Sequence, residues 1–183
     1  MPVVATPETL PVLQPPAGSV AWIDSFEVRG VQGGVPLQWD GRENTDSLTR
    51  LWLRDQPPRP LDFLSLASLA DLFYPRIWLR RALRTPAGTV SVTVYFHADS
   101  APLAATGSGY LLGQAQGQAY RNGFFDQTGP LWIRQGQLLA TMHPIVYFNA
   151  QFAKGAVAAK TEAGLSYGVM TPKSGVKPRV GLS

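Results

Sequence analysis

Cysteine is missing from this 183-residue chain, and histidine occurs only as His97 and His143. Without thiols there are no disulfides, no thiolate zinc sites and no cysteine nucleophile, and imidazole chemistry has just two candidates. Lysine is missing too, from everything before residue 150. Over residues 1–149 eleven arginines balance eleven aspartates and glutamates, so the whole net charge of +4 comes from residues 150–183, where four lysines and Arg179 face Glu162. The body of the chain offers no broad positive field, and no nucleic-acid partner is expected. No apolar run approaches the roughly 20 residues that span a bilayer. The opening MPVVATPETLPVLQPPAG has neither the basic patch nor the apolar core of a secretory signal, so the expectation is a cytoplasmic protein with no membrane partner. A P-loop, a dinucleotide fingerprint and metal-ligand spacing are all lacking, which leaves no motif for a cofactor or a metal.

What is present suits one domain. The apolar fraction of 45% is ordinary for a globular protein, and the length allows one proper core rather than two. Five prolines among residues 1–18 read as a Pro-rich, linker-like segment or an extended strand leading into the fold. Residues 150–183, rich in Gly, Ala, Ser and Lys, read as a basic flexible tail. The domain is then residues 19–149. Within it VAWIDSFEVRG (20–30) and LTRLWLR (48–54) alternate as strands do. LDFLSLASLADLFYP (61–75) is apolar on nearly every side at helical length, with Pro60 near its start and Pro75 at its end, as in a helix that other structure surrounds. From Gly88 follow GTVSVTVYFHAD, YLLGQAQGQAYR, FFDQTGPLWIR and QLLATMHPIVYF, four strand-like runs separated by short turns. One buried helix followed by an antiparallel meander is an α+β pattern, with the sheet wrapped on the helix.

One charge stands in that helix. An ionised carboxylate among apolar residues must be paired, be hydrogen-bonded or shift its pKa, because desolvating it alone costs several kcal/mol. Asp71 therefore either bonds to backbone or pairs with Arg76, Arg80 or Arg81, or it is a general base delivered to a pocket that holds a water molecule.

The ordered motifs LDFLSLASLADLFYPRIWLRR, PAGTVSVTVYFHAD and GFFDQTGPLWIRQGQLLATMHPIVYF, over roughly residues 16–149, resemble the C-terminal half of acyl-CoA thioesterases of type II, double-hotdog proteins. The resemblance implies a hotdog fold, a long central helix wrapped by a curled antiparallel sheet. It also implies a water molecule held by a helix aspartate, a threonine on the next strand and a glutamine on a later one, attacking a thioester. Matched by motif, the aspartate falls on Asp71 and the threonine on Thr89. The glutamine falls on Pro144, because MHP stands where relatives read THQ. Proline has neither carboxamide nor N–H, and loss of one preorganised donor costs on the order of 2 to 4 kcal/mol, about 10² to 10³ in rate. His143 next door points to the opposite face of its strand, and Gln114, Gln116 and Gln127 lie on other strands. Pro144 also predicts a strand edge or a bulge at that point.

Other residues carry two readings each. Arg76, Arg80 and Arg81 either hold the phosphates of an acyl-CoA substrate or form a solvated face. Phe73, Tyr74, Trp78, Tyr95, Phe96, Phe124 and Phe125 are core, with some, Phe73 and Tyr95 first, as candidates for an acyl channel. His97 and Asp99 share strand parity and suit either a hydratase-like acid–imidazole pair or structural packing. The function implied is acyl-CoA hydrolysis without a cofactor; the alternatives are an acyl-thioester-binding hotdog that has lost catalysis and, third, an enoyl-CoA hydratase. Relatives carry two hotdogs in one chain, and this sequence begins in what resembles the linker between them. A lone hotdog leaves a sheet edge open, so the expectation is a homodimer or pairing with a second hotdog domain.

Overall fold

The alternation of apolar and polar residues produces eight strands in a single antiparallel sheet: β1 (Phe26–Gln32), β2 (Thr49–Asp55), β3 (Ala87–Phe96), β4 (Leu111–Ala115), β5 (Tyr120–Arg121), β6 (Phe124–Asp126), β7 (Gly129–Ile133) and β8 (Leu138–Phe148). This computed structural model describes residues 1–15, 19–149 and 151, so the basic tail expected over 150–183 lies almost wholly outside the described residues. Three short α-helices accompany the sheet: α1 (Phe63–Ala70), α2 (Ile77–Arg80) and α3 (Ser100–Thr106).

The long strand β8 organises the sheet. Along one side it pairs with β3 from Ala140 to Phe148; along the other, Leu138–Met142 pair with β7 and Ile145–Tyr147 with β6. Beyond β7 come β4, β2 and β1, and beyond β6 the two-residue β5, so that β1 and β3 are the long strands at the edges. The order is not the meander expected, because β3 and β4 are consecutive in sequence yet stand apart, with β8 and β7 between them. The connection contains α3, which the sequence reading took for turn. Its signals are local: Asp99 accepts a hydrogen bond from Ala101 N (3.2 Å) as N-cap, and Pro102 sits in the first turn.

The helix over residues 61–75 also differs in length. α1 starts where Asp62 accepts from Ser65 N (2.7 Å) and ends at Ala70, with Asp71 as its C-cap. The stop lies in Pro75. Continuing the helix would drive the Pro75 ring into the carbonyl of Asp71, four residues back, and would leave that carbonyl without a donor. The chain instead leaves the helical path at Asp71, and Phe73 packs on the core beside α1. Leu66, Leu69 and Ala70 of α1 bury against Leu51, Leu53, Leu111, Leu131, Leu139, Ala140 and Met142 of the sheet. One fully buried leucine is worth roughly 1.5 to 3 kcal/mol, so this face fixes the helix despite its eight residues.

Residues 1–13 are part of the packed domain rather than a linker. Trp52 Nε1 donates to Ala5 O (2.8 Å), Arg29 donates to Pro7 O (3.1 Å) and Leu10 O (2.7 Å), and Leu13 N donates to Val28 O (2.8 Å). This strap covers the outer face of β1 and β2 and occupies the free edge of β1 through the Val12–Arg29 bridge. The edge of β3 has no such cover among the described residues.

Candidate active site

Asp71 ends α1 with its N–H on Ser68 O (3.2 Å), on the outward side of the helix with Ser68 and the exposed Leu64. The carboxylate looks into a cleft of about 340 Å³ that it shares with Trp22, Ser25, Phe26 and Ser68. Trp22 and Ser25 come from a short 3-10 helix, Ala21–Ser25, which leads into β1 and occupies part of what the sequence suggested was strand. Of the two hydroxyls, Ser68 Oγ is committed to Leu64 O (2.9 Å), whereas Ser25 Oγ has no partner among the described residues. Gln56 N on Ser25 O (2.8 Å) fixes the backbone there.

Asp71 is an exposed residue, yet the mostly apolar walls desolvate its carboxyl in part and push its pKa above the usual aspartate value. No hydrogen bond or ion pair offsets that desolvation among the described residues. The ion-pair reading of Asp71 thus fails on the three arginines that carried it. Arg76 is completely buried, with Nη1 on Ser47 O (3.1 Å) and Thr49 Oγ1 (2.6 Å), and Nε and Nη2 on Tyr74 O (3.1 and 2.6 Å). Arg80 donates to Thr45 O and lies over the Tyr120 ring, and Arg81 pairs with Glu43 at 2.9 Å.

The same positions correct the phosphate reading of Arg76. A guanidinium with no exposed surface cannot meet a CoA phosphate, and here it ties the segment after Asp71 to β2. Burial pulls its pKa down to about 10, which still leaves it charged near neutral pH. Arg80 and Arg81 keep some exposure. Phe73 packs partly buried against the core and Tyr95 stands exposed on β3, its ring 5.8 Å from that of His143; neither lines the Asp71 cleft.

Thr89 is exposed near the start of β3, opposite Val146. It does not line the cleft: Asp71 faces the start of β1, at the other sheet edge. Pro144 is buried in the middle of the sheet, which corrects the expectation of an edge. Its carbonyl accepts from Gln127 N (3.1 Å), so the missing N–H points to the same side, where β6 gives way to β7 and the ladder is already interrupted. His143 is exposed on the opposite face, as strand alternation requires. The three glutamines are occupied elsewhere. Gln114 accepts from Arg50 (2.8 Å), Gln116 donates to Asp46 (3.2 Å), and Gln127 is buried with Nε2 on Met142 Sδ (3.5 Å). The His97–Asp99 pair is not formed either, since Asp99 caps α3 and His97 Nε2 bonds Thr141 Oγ1 (2.8 Å).

Comparison with known proteins fixes the family. The sequence profile of the acyl-CoA thioesterase C-terminal domain matches residues 7–148. The chain belongs to that family. The matched stretch of this thioesterase-family domain begins inside the strap, in accord with its packing. A hotdog-fold protein of unknown function from Alicyclobacillus acidocaldarius is 39% identical, with a TM-score of 0.75 over 82% of this chain and 55% of its own. The tesB protein of Mycobacterium avium subspecies paratuberculosis is 22% identical (TM-score 0.57, 81% of this chain and 54% of that one). Acyl-CoA thioesterase II TesB2 of Mycobacterium marinum is 16% identical (TM-score 0.50, 81% and 55%). These establish the hotdog fold, and the domain spans about half the length of each. No curated protein sequence matches. Among the described residues no cluster of His, Asp or Glu is built to hold a metal ion, and no helix is long and apolar enough to cross a membrane.

Sequence reasoning missed Trp22, Ser25, Phe26 and Ser68.

Proposed function

We propose that this domain hydrolyses acyl-CoA thioesters to the free acid and CoA, with Asp71 as general base. The supporting observation is an unpaired carboxylate of raised pKa at an open, mostly apolar cleft, in a domain of thioesterase family. Water adds to the thioester carbonyl carbon as its proton passes to Asp71. The C–S bond then breaks and the leaving sulfur takes up a proton, leaving carboxylic acid and thiol. The step needs no cofactor. Ser25 Oγ is the free hydroxyl that helps seat the water, and Thr89 enters on the motif resemblance alone.

The test is thiol release from a panel of acyl-CoA substrates, with Asp71→Asn and Thr89→Ala beside the wild type. A base must be deprotonated, so the rate rises as pH rises through the Asp71 pKa. We expect the acid limb of kcat/KM to lie above the ordinary aspartate range and Asp71→Asn to lose at least about 100-fold. Release untouched by Asp71→Asn refutes the assignment.

Pro144 favours a second reading, an acyl-thioester-binding domain without hydrolysis, since it removes the expected carboxamide. Binding of the panel without thiol release would select it. In either case we propose that a second hotdog, another copy or a separate domain, covers the β3 edge. Val90, Val92 and Phe96 on that strand are exposed by 62%, 43% and 44%, and Leu64 on the outer side of α1 by 77%.

A further inference from the structure

Trp22 is the least expected occupant of the cleft. It is 53% exposed, and the 3-10 helix that carries it buries none of its residues, so core packing does not account for an indole at this position. Its ring meets Phe26 edge to face, with centroids 6.1 Å apart and planes at 81°. Such a contact covers at most one face of either ring, so among the described residues flat aromatic surface stays open in the cleft that also holds Asp71. The cleft is open, and its volume of about 340 Å³ is near the lower end of the roughly 300 to 1,000 Å³ of small-molecule sites.

We infer that Trp22 sets the acyl specificity of this site, selecting thioesters of compact, flat acyl groups, aryl above all, over long linear chains. The inference rests on the acyl-thioester reading of the cleft and names its substrate class. A planar acyl group directly beside the thioester carbonyl slots against the indole face while the carbonyl carbon stays at the water seated by Asp71. A long saturated chain has no flat face to offer, and its far methylenes extend beyond the cleft. Ser25 and Ser68 supply the polar side of the same walls, which suits the carbonyl end of the substrate rather than an alkyl chain.

The test compares benzoyl-, phenylacetyl-, butyryl-, octanoyl- and palmitoyl-CoA on the full chain, for wild type, Trp22→Phe and Trp22→Ala. The aryl thioesters are expected to lead in kcat/KM. Trp22→Ala is expected to cut the aryl-to-octanoyl ratio roughly tenfold and Trp22→Phe to keep most of it. Calorimetric binding of the non-hydrolysable thioethers S-benzyl-CoA and S-hexadecyl-CoA to Asp71→Asn, with and without Trp22→Ala, reads the same preference without turnover. Loss of hydrolysis with the aryl preference in binding intact refutes the hydrolase and leaves this inference standing. Preference for palmitoyl- or S-hexadecyl-CoA, or a Trp22→Ala effect equal across all acyl groups, overturns it. Thermal unfolding checks that the variant folds; little change in Tm is expected from a half-exposed ring.

Discussion

Two buried charges show how differently a single residue can be stabilised. Glu27 on β1 is nearly inaccessible; burial pushes its carboxyl up, but hydrogen bonds from Tyr110, Arg54 and Arg29 outweigh that and hold its pKa at about 2. Its folded value is below the unfolded one, so its contribution is complete above about pH 4.5 and is lost as pH falls toward 2. Allowing for solvent screening, that amounts to about 1 to 2 kcal/mol. Urea unfolding of Glu27→Gln should show this loss at pH 7 and a much smaller difference from wild type near pH 3. Because Arg29 also holds the strap through Pro7 O and Leu10 O, the variant should loosen residues 1–13 first, which amide exchange reads. Arg76, by contrast, has no ion pair among the described residues and is satisfied by two carbonyls, a hydroxyl and the Tyr74 ring 4.6 Å away. Nothing in RIWLRR distinguishes it from its neighbours. Its burial comes from the turn after Asp71, which aims one arginine inward at β2 while the next two reach the surface, and sequence spacing does not carry that information.

At the scale of elements, the strands were legible and the places where the backbone departs from regular structure were not. β2, β3 and β8 fall where their sequence patterns place them, but only β8 alternates strictly in burial, from Met142 to Phe148; β2 buries Leu51, Trp52 and Leu53 in a row, and β3 is exposed almost throughout. α1 was legible as a helix but not in length, since Pro75 acts through a clash four residues upstream. The cleft was hidden for a related reason: it forms between the end of α1 and a 3-10 helix more than 40 residues earlier, and neither alone has a pattern that points to the other. Gly113 marks how tightly the segment after Asp71 is held. A Cβ there would stand 2.7 Å from Phe73 Cζ and 2.9 Å from Leu53 Cδ1. Gly113→Val should therefore cost about 1 to 3 kcal/mol and displace Phe73. Asp71 lies two residues away, so catalysis should fall further than stability predicts, measured as thiol release at a temperature where circular dichroism shows the variant folded.

For the whole molecule, the two edges of the sheet are unequal. Among the described residues β1 is bridged by the strap at Val12–Arg29, while β3, ten residues long, has no partner on its outer side and carries exposed valines and a phenylalanine. If the partner is a second copy, light scattering after gel filtration should give twice the mass of the chain, and Val90→Lys with Val92→Lys should return it to the monomer without unfolding it; a wild-type monomer at all concentrations refutes self-pairing and leaves a separate hotdog domain as the partner. The capped edge has a further consequence. Growth of a sheet by backbone pairing needs two free sides, one to join and one to offer to the next arrival. Among the described residues β3 is the one long strand left open, so two copies joined there would present no comparable template to a third. By anchoring itself along β1, the N-terminal strap acts as a chain terminator: in the proposed pair it would limit what the open β3 edge can build to two copies.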